Sequence, residues 1–291
     1  MKLVTFSHQG GIRIGALVSR EAQACVLDLS RAQPDLPRDM LGLLNAGETA
    51  LARVRRAVAS LDERYLVPEA QVALLAPIPR PGKIICLGHN YYDHMGQDRT
   101  APADYPTIFD KTVNTVIGPR QPIVIPPVTQ QVDYEAELAV VIGKPAKHAA
   151  QERALEFVAG YTIFNDVSAR DYQKRTSQWM LGKSFDTFGP MGPALVTADE
   201  IPDPHGLELV LTLNGLEMQH TNTRNMIFSI PYLIAYLSEV MLLEPGDLIS
   251  TGTPGKTELA KSVSPFMKPG DEVRVYIEKI GELINPLVAE S

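Results

Sequence analysis

The sequence predicts an α+β chain that is mostly β: a roll or sandwich of mixed strands over residues 77–291, preceded by a small N-terminal α/β region over residues 1–76. Three observations lead there. Short apolar runs bounded by glycine, proline and asparagine outnumber helical stretches. They follow one another without the regular intervening helices that a doubly wound sheet requires. A proline-rich joint, Ala76-Pro77-Ile78-Pro79-Arg80-Pro81-Gly82, separates the two regions, because proline stiffens its neighbours and cannot donate to a ladder.

In chain order, residues 3–18 hold two apolar runs around Gln9-Gly10-Gly11, a hairpin. Residues 37–61 read as one or two helices broken around Asn45-Ala46-Gly47. Leu51, Val54, Val58 and Leu61 form their buried stripe, and Arg53, Arg55 and Arg56 the solvated face. Past the joint, strands are expected at 84–87, 123–125, 134–142, 161–164, 207–213, 248–250 and 273–277, with Asn214-Gly215 as a hairpin turn. Helices fit 149–158, ended by Gly160, and 230–241, with Pro231 in its first turn.

Composition narrows the function. The 291 residues carry a net charge of −7 and no long basic cluster, which excludes nucleic acid as the expected partner. No window approaches the length of a membrane span, and the N-terminal residues read as a first strand instead of a targeting segment, so a cytoplasmic protein is expected. The two cysteines, Cys25 and Cys86, have no metal-type spacing, and Cys86 in its apolar run reads as a buried thiol.

The chemistry begins at Asp133-Tyr134-Glu135-Ala136-Glu137-Leu138. Side chains alternate along a strand, so Asp133, Glu135 and Glu137 share a face, the two glutamates about 7 Å apart. Both faces turn apolar toward Gly143, which places these carboxylates where a sheet enters the interior. Carboxylates there stay ionised cheaply only around a cation, and oxygen-only donors suit Mg²⁺, Mn²⁺ or Ca²⁺. A solvated acidic face on an edge strand is the competing reading. Asp166 ends a strand and completes a three-carboxylate set, or caps a short helix over 167–173. That helix would bring Arg170 and Gln173 together, while Arg170 with Asp171 could be a surface pair. Lys183 lies in a largely uncharged stretch rich in glycine and aromatics, either beside an anionic group or snorkelling from the surface. Thr253, in Thr251-Gly252-Thr253-Pro254, belongs to a turn of small residues that a carboxylate can approach. In Gly88-His89-Asn90-Tyr91-Tyr92-Asp93-His94, His94 is a candidate general base and Tyr91 joins the candidate substrate-binding residues.

In this order the motifs, together with Asn165-Asp166-Val167-Ser168-Ala169-Arg170-Asp171 and Gly182-Lys183-Ser184-Phe185-Asp186, make the chain resemble the fumarylacetoacetate hydrolase (FAH) superfamily from about Ile84 to Pro286. The run from Gln178 to Phe188 resembles its domain-containing-protein-2-like branch, whose members include hydrolases, isomerases and oxaloacetate tautomerases. The resemblance implies a FAH-type β-roll catalytic domain, a homodimer, a small-molecule 2-oxo acid substrate, and Mg²⁺ or Mn²⁺ held by Glu135, Glu137 and Asp166. It implies that Lys183 stabilises oxyanion charge, and that Arg170, Gln173 and Thr253 hold the substrate or its water.

Family hydrolases add a dyad of a histidine matching His94 and a glutamate three positions on, where this chain has Gln97. An amide cannot take or relay a proton, although the adjacent Asp98 could substitute. After Pro254 the chain also departs from the family, with Gly255-Lys256-Thr257-Glu258. The leading expectation is a Mg²⁺-dependent hydrolase that cleaves a C–C bond in a small 2,4-dioxo acid through an enolate steadied by the ion. The alternative is an isomerase, tautomerase or decarboxylase of a 2-oxo dicarboxylate such as oxaloacetate, which Gln97 favours. A metal-stabilised binding protein without activity is a third reading.

Overall fold

A computed structural model describes residues 1–94, 103–263 and 266–290, apart from the side chain of His94. Among the described residues, twelve strands form one large mixed sheet. Its central order runs Lys2–His8, Gly189–Thr197, Val158–Asn165, Ala136–Ile142, Leu248–Ser250, Ile84–Gly88 and Thr107–Asp110. Most neighbours are antiparallel, but Leu248–Ser250 and Ile84–Gly88 run parallel. A second sheet of five strands includes Glu208–Leu213, Leu216–Asn222, Glu272–Ile277 and Gly281–Ala289.

The strand Ala136–Ile142 shows why these residues build a two-sided layer. All seven are buried. Leu138, Val140 and Ile142 join one core cluster with Leu209, Leu211, Val275 and Leu237, against the second sheet and the helix Ile230–Val240. Ala139 and Val141 join a second, with Leu3, Ile14, Leu43 and Val54. The helix Gly47–Ala59 buries Ala50, Val54 and Ala57, and Leu61 lies past its end at the surface. Asn214 and Gly215 both take the left-handed conformation, as the hairpin between Glu208–Leu213 and Leu216–Asn222 requires.

The N-terminal strand Lys2–His8 pairs with Gly189–Thr197, so residues on either side of the proline joint contribute to the same sheet. No described helix is long and apolar enough to cross a membrane.

Three local expectations need correction, and one strand has no counterpart among them. The expected helix 149–158 is a 3₁₀ segment, Gln151–Phe157, and Gly160 ends nothing: it lies inside the strand Val158–Asn165, opposite Thr197. The strand expected over 134–142 starts only at Ala136, because Val132–Asp133 pairs separately with Ser168–Ala169. Asp166 caps no helix, since the helix is only Arg170–Gln173 and its N-cap is Ala169. Gly189–Thr197, where two prolines argue against a strand, is nonetheless a nine-residue strand of the large sheet.

Candidate active site

Backbone pairing brings the three carboxylates together. Glu137 lies on the second residue of its strand, and its neighbour Val158–Asn165 runs antiparallel with Ala136 opposite Asn165. Asp166 follows directly, its N–H donating to Glu135 O at 2.9 Å, while the Glu135 N–H donates to Asn165 Oδ1 at 3.0 Å. Glu135, Glu137 and Asp166 are all buried, and one carboxylate oxygen from each falls within 4.8 Å of the others. Lys183 arrives on the short helix Met180–Lys183. A β carbon on Gly182 would sit 2.5 Å from the backbone nitrogen of Gln173, so only glycine lets this helix lie directly on Arg170–Gln173.

The centre is a lattice of buried charge. Lys183 Nζ donates to Glu135 Oε2 at 2.6 Å and Asp166 Oδ2 at 2.7 Å. Lys111 Nζ donates to Asp166 Oδ1 at 2.5 Å and to Val167 O at 2.8 Å. Arg170 reaches Glu135 Oε1 at 2.6 Å through Nη2 and Asp133 Oδ2 at 2.9 Å through Nε, and donates to Gln173 Oε1. Lys256 closes the chain of pairs on Asp133 at 2.8 Å. Burial opposes charge on Lys183, yet Asp166 and Glu135 outweigh it and hold the ammonium above its ordinary range. Burial likewise opposes charge on Arg170, and Glu135 and Asp133 prevail. Lys111 differs: burial pulls it below the usual lysine range despite Asp166. Burial also raises the Cys86 thiol well above its usual range, and Asp166 and Glu137 add to this, so it stays protonated.

Glu137 carries the test of a metal site. Oε2 accepts from Ser250 Oγ at 2.6 Å and the Gly252 N–H at 2.8 Å, but Oε1 is buried with no hydrogen-bond partner. Burial and the neighbouring Asp166 and Glu135 push its pKa well above the carboxylate range. A buried acceptor without a donor, beside two further carboxylates, is what a hard cation relieves. The donor set fits a divalent metal.

Of the residues singled out in the sequence, Glu135, Arg170, Gln173, Lys183 and Thr253 line one inner chamber of about 60 Å³, with Phe109 beside them. Thr253 Oγ1 donates to Ala136 O at 3.0 Å and accepts from Gln219 Nε2 at 2.9 Å. Tyr91 lies apart: it is completely buried in the main core cluster and is not among the chamber's lining residues. Gln97, Asp98 and the side chain of His94 lie outside the described residues. The competing reading of Arg170 with Asp171 as a surface pair does not hold, since Arg170 turns to Asp133 and Glu135 and Asp171 accepts from Thr129. Lys111, Asp133, Lys256 and Gln219 were not anticipated in these roles. Asp133 had a visible signal, the same two-residue period that links Glu135 and Glu137. A larger cavity of about 740 Å³ lies elsewhere, near Leu74 and Arg120, and contains none of these groups.

Comparison with known proteins gives the family. The family model described as fumarylacetoacetate (FAA) hydrolase C-terminal matches residues 83–288. A relative from Rattus norvegicus, "Oxaloacetate tautomerase Fahd2a, mitochondrial", is 46% identical over 264 residues, covering 90% of this chain and 84% of that protein. Among solved structures, a fumarylacetoacetate hydrolase from Exiguobacterium antarcticum matches over the full length of both chains with a TM-score of 0.85 and 35% identity. A 5-carboxymethyl-2-hydroxymuconate delta-isomerase from Mycobacterium smegmatis does so with a TM-score of 0.79 and 34% identity. By the family model that matches residues 83–288 and by likeness along nearly its whole length, the chain belongs to the fumarylacetoacetate hydrolase family and is an enzyme of it.

Proposed function

We propose that this enzyme is a divalent-cation-dependent tautomerase of a short 2-oxo dicarboxylate, with oxaloacetate as the first substrate to test. The observation that carries the reading is the chamber itself. It sets the protonated Lys183 and the paired Arg170 against carboxylates in a space suited to a small acid. The tautomerase name of a relative that covers nearly all of this chain favours it over C–C hydrolysis, reversing the order expected from the motifs.

Glu135, Glu137 and Asp166 would hold Mg²⁺ or Mn²⁺, which suit all-oxygen donors. When bound, the ion would supply Lewis-acid polarisation of the 2-oxo group. Tautomerisation moves a proton between the enol oxygen and the adjacent carbon. Lys183 is held as an ammonium, so it serves as a donor to oxygen charge and not as the base. Gln173 fixes the Arg170 guanidinium, and that cation orients the acid in the chamber that Thr253 also lines. We assign the proton carrier to His94 from its place in the sequence motif. Gln97, where hydrolases place a glutamate, leaves no acid at that position to activate water. Every residue in this scheme lies in the proposed catalytic unit, 77–291, with 1–76 as its buttress.

The test follows the ultraviolet absorbance of enol-oxaloacetate with Mg²⁺ present, alongside pyruvate release from acetylpyruvate. Rapid loss of enol without pyruvate release is the expected result. Pyruvate release with no acceleration of enol loss would overturn the proposal.

A further inference from the structure

The segment after Pro254, where the sequence leaves the family pattern, has no part in the scheme above. Its backbone is fastened to the strand Leu216–Asn222. Lys256 pairs with Gln219 in an isolated bridge, and the Thr257 N–H donates to Met218 O at 2.9 Å. The Thr257 hydroxyl donates to Glu217 O at 2.9 Å, and Gln219 Nε2 donates to Pro254 O at 2.9 Å. None of these bonds uses the Lys256 side chain. It runs over the Tyr134 ring instead, with Nζ 4.8 Å from the ring centroid, and ends on Asp133. There the ammonium meets both carboxylate oxygens, at 2.8 Å from Oδ1 and 2.9 Å from Oδ2.

Asp133 links that cation to the site. It lines an outer vestibule of about 540 Å³ together with Arg170, and Arg170 lines the inner chamber as well. Arg170 directs one N–H at each of Asp133, Glu135 and Gln173. A guanidinium carries five, so among the described residues two are left for a bound acid. Donors are therefore in supply, and charge is the limit. Asp133 and Glu135 are two anions on one guanidinium, and alone they would outweigh its attraction for a third. Each has a further cation: Lys183 for Glu135 and Lys256 for Asp133. The Asp133 side chain is 4% exposed and that of Lys256 24%, so water screens their pair only in part. We infer that Lys256 is a positioning residue that sets the affinity of the site for anions: it neutralises Asp133, so that Arg170 keeps its positive field for the acid group of the substrate. The inference rests on the proposed function for Arg170 as the group that meets that acid. Lys256 is not among the residues lining either space, so it acts through Asp133 and Arg170 and not by contact.

The experiment measures oxalate binding by isothermal titration calorimetry on the Mg²⁺-saturated full chain. It compares the wild type with Lys256→Met, with Lys256→Arg, and with Lys256→Met combined with Asp133→Asn. Methionine keeps an apolar stem against Tyr134 and removes the charge. It is expected to raise the oxalate Kd about fivefold. Arginine keeps the charge, and the double variant loses the surplus anion along with the cation, so both are expected to stay within about twofold of the wild type. In turnover, Lys256→Met is expected to raise KM for oxaloacetate by a similar factor with little change in kcat. An unchanged oxalate Kd in Lys256→Met would overturn the inference, as would a wild type that takes up no oxalate. A loss that Asp133→Asn does not restore would also overturn it, because a lysine that merely holds its loop gives that result. A wild-type protein whose oxalate affinity depends on Lys256 in this way, but which does not tautomerise oxaloacetate, would sink the proposed function and leave the role of Lys256 standing.

Discussion

Ion pairs in two parts of this molecule use the same chemistry in opposite settings. On the helix Gly47–Ala59, Arg55 meets Glu48 and Arg53 lies 3.9 Å from Asp35, with every side chain at least 31% exposed. At the centre, Lys111 and Lys183 both pair with Asp166, and all three side chains are 2% exposed or less. Water screens the first set, so its pairs contribute little to stability. The second set has lost that water, and apolar side chains of similar volume would stabilise a fold about as well. The difference teaches where to look for function: charge kept in the interior with no net gain in stability needs another reason to be there.

Replacing Lys183 by methionine tests that reason most severely. It removes the donor aimed at oxygen charge and leaves Glu135 and Asp166 short of a partner. We expect kcat to fall about 10²–10³-fold in a steady-state assay. A loss below about tenfold would mean that the buried cation is structural. Lys111→Met breaks a pair of the same burial on the opposite side of Asp166, and is expected to lower unfolding free energy by about 3 kcal/mol in a denaturant titration. An unchanged midpoint would show that Asp166 does not depend on it.

An intermediate case is His205, whose ring accepts from the Ile230 N–H at the start of the helix Ile230–Val240. Burial lowers its pKa below the ordinary histidine value, against the pull of Asp203. The folded state therefore favours the neutral ring and binds fewer protons than the unfolded chain between the two pKa values. Its contribution is complete above about pH 6.5 and declines as the pH falls below that value. His205→Gln should flatten this part of the stability profile; an unaltered slope would remove His205 as its source. At the exposed end, Arg55→Ala should change stability by at most about 0.5 kcal/mol. A larger loss would erase the contrast between the two regions.

How much of this was legible depends on the range of the interaction. The strand through Glu137 declares itself, because local alternation and apolar faces on both sides are written in adjacent residues. Asn214-Gly215 does the same for its hairpin. Asp166 was ambiguous, since a helix cap and a metal ligand look alike locally, and its partners lie 17 and 55 residues away. Lys111 gives no signal: none of the sequence motifs contains it, and only tertiary folding carries it to Asp166. The strand Gly189–Thr197 was hidden by its prolines, which the large sheet accommodates.

The central claim is that Glu135, Glu137 and Asp166 jointly hold one divalent ion. Titrating the metal-stripped protein with Mn²⁺, followed by the loss of the free ion's electron paramagnetic resonance signal, tests it most directly. One ion should bind per chain, and Asp166→Ala should abolish that binding. Equal uptake by the variant, or no uptake by the wild type, would contradict it.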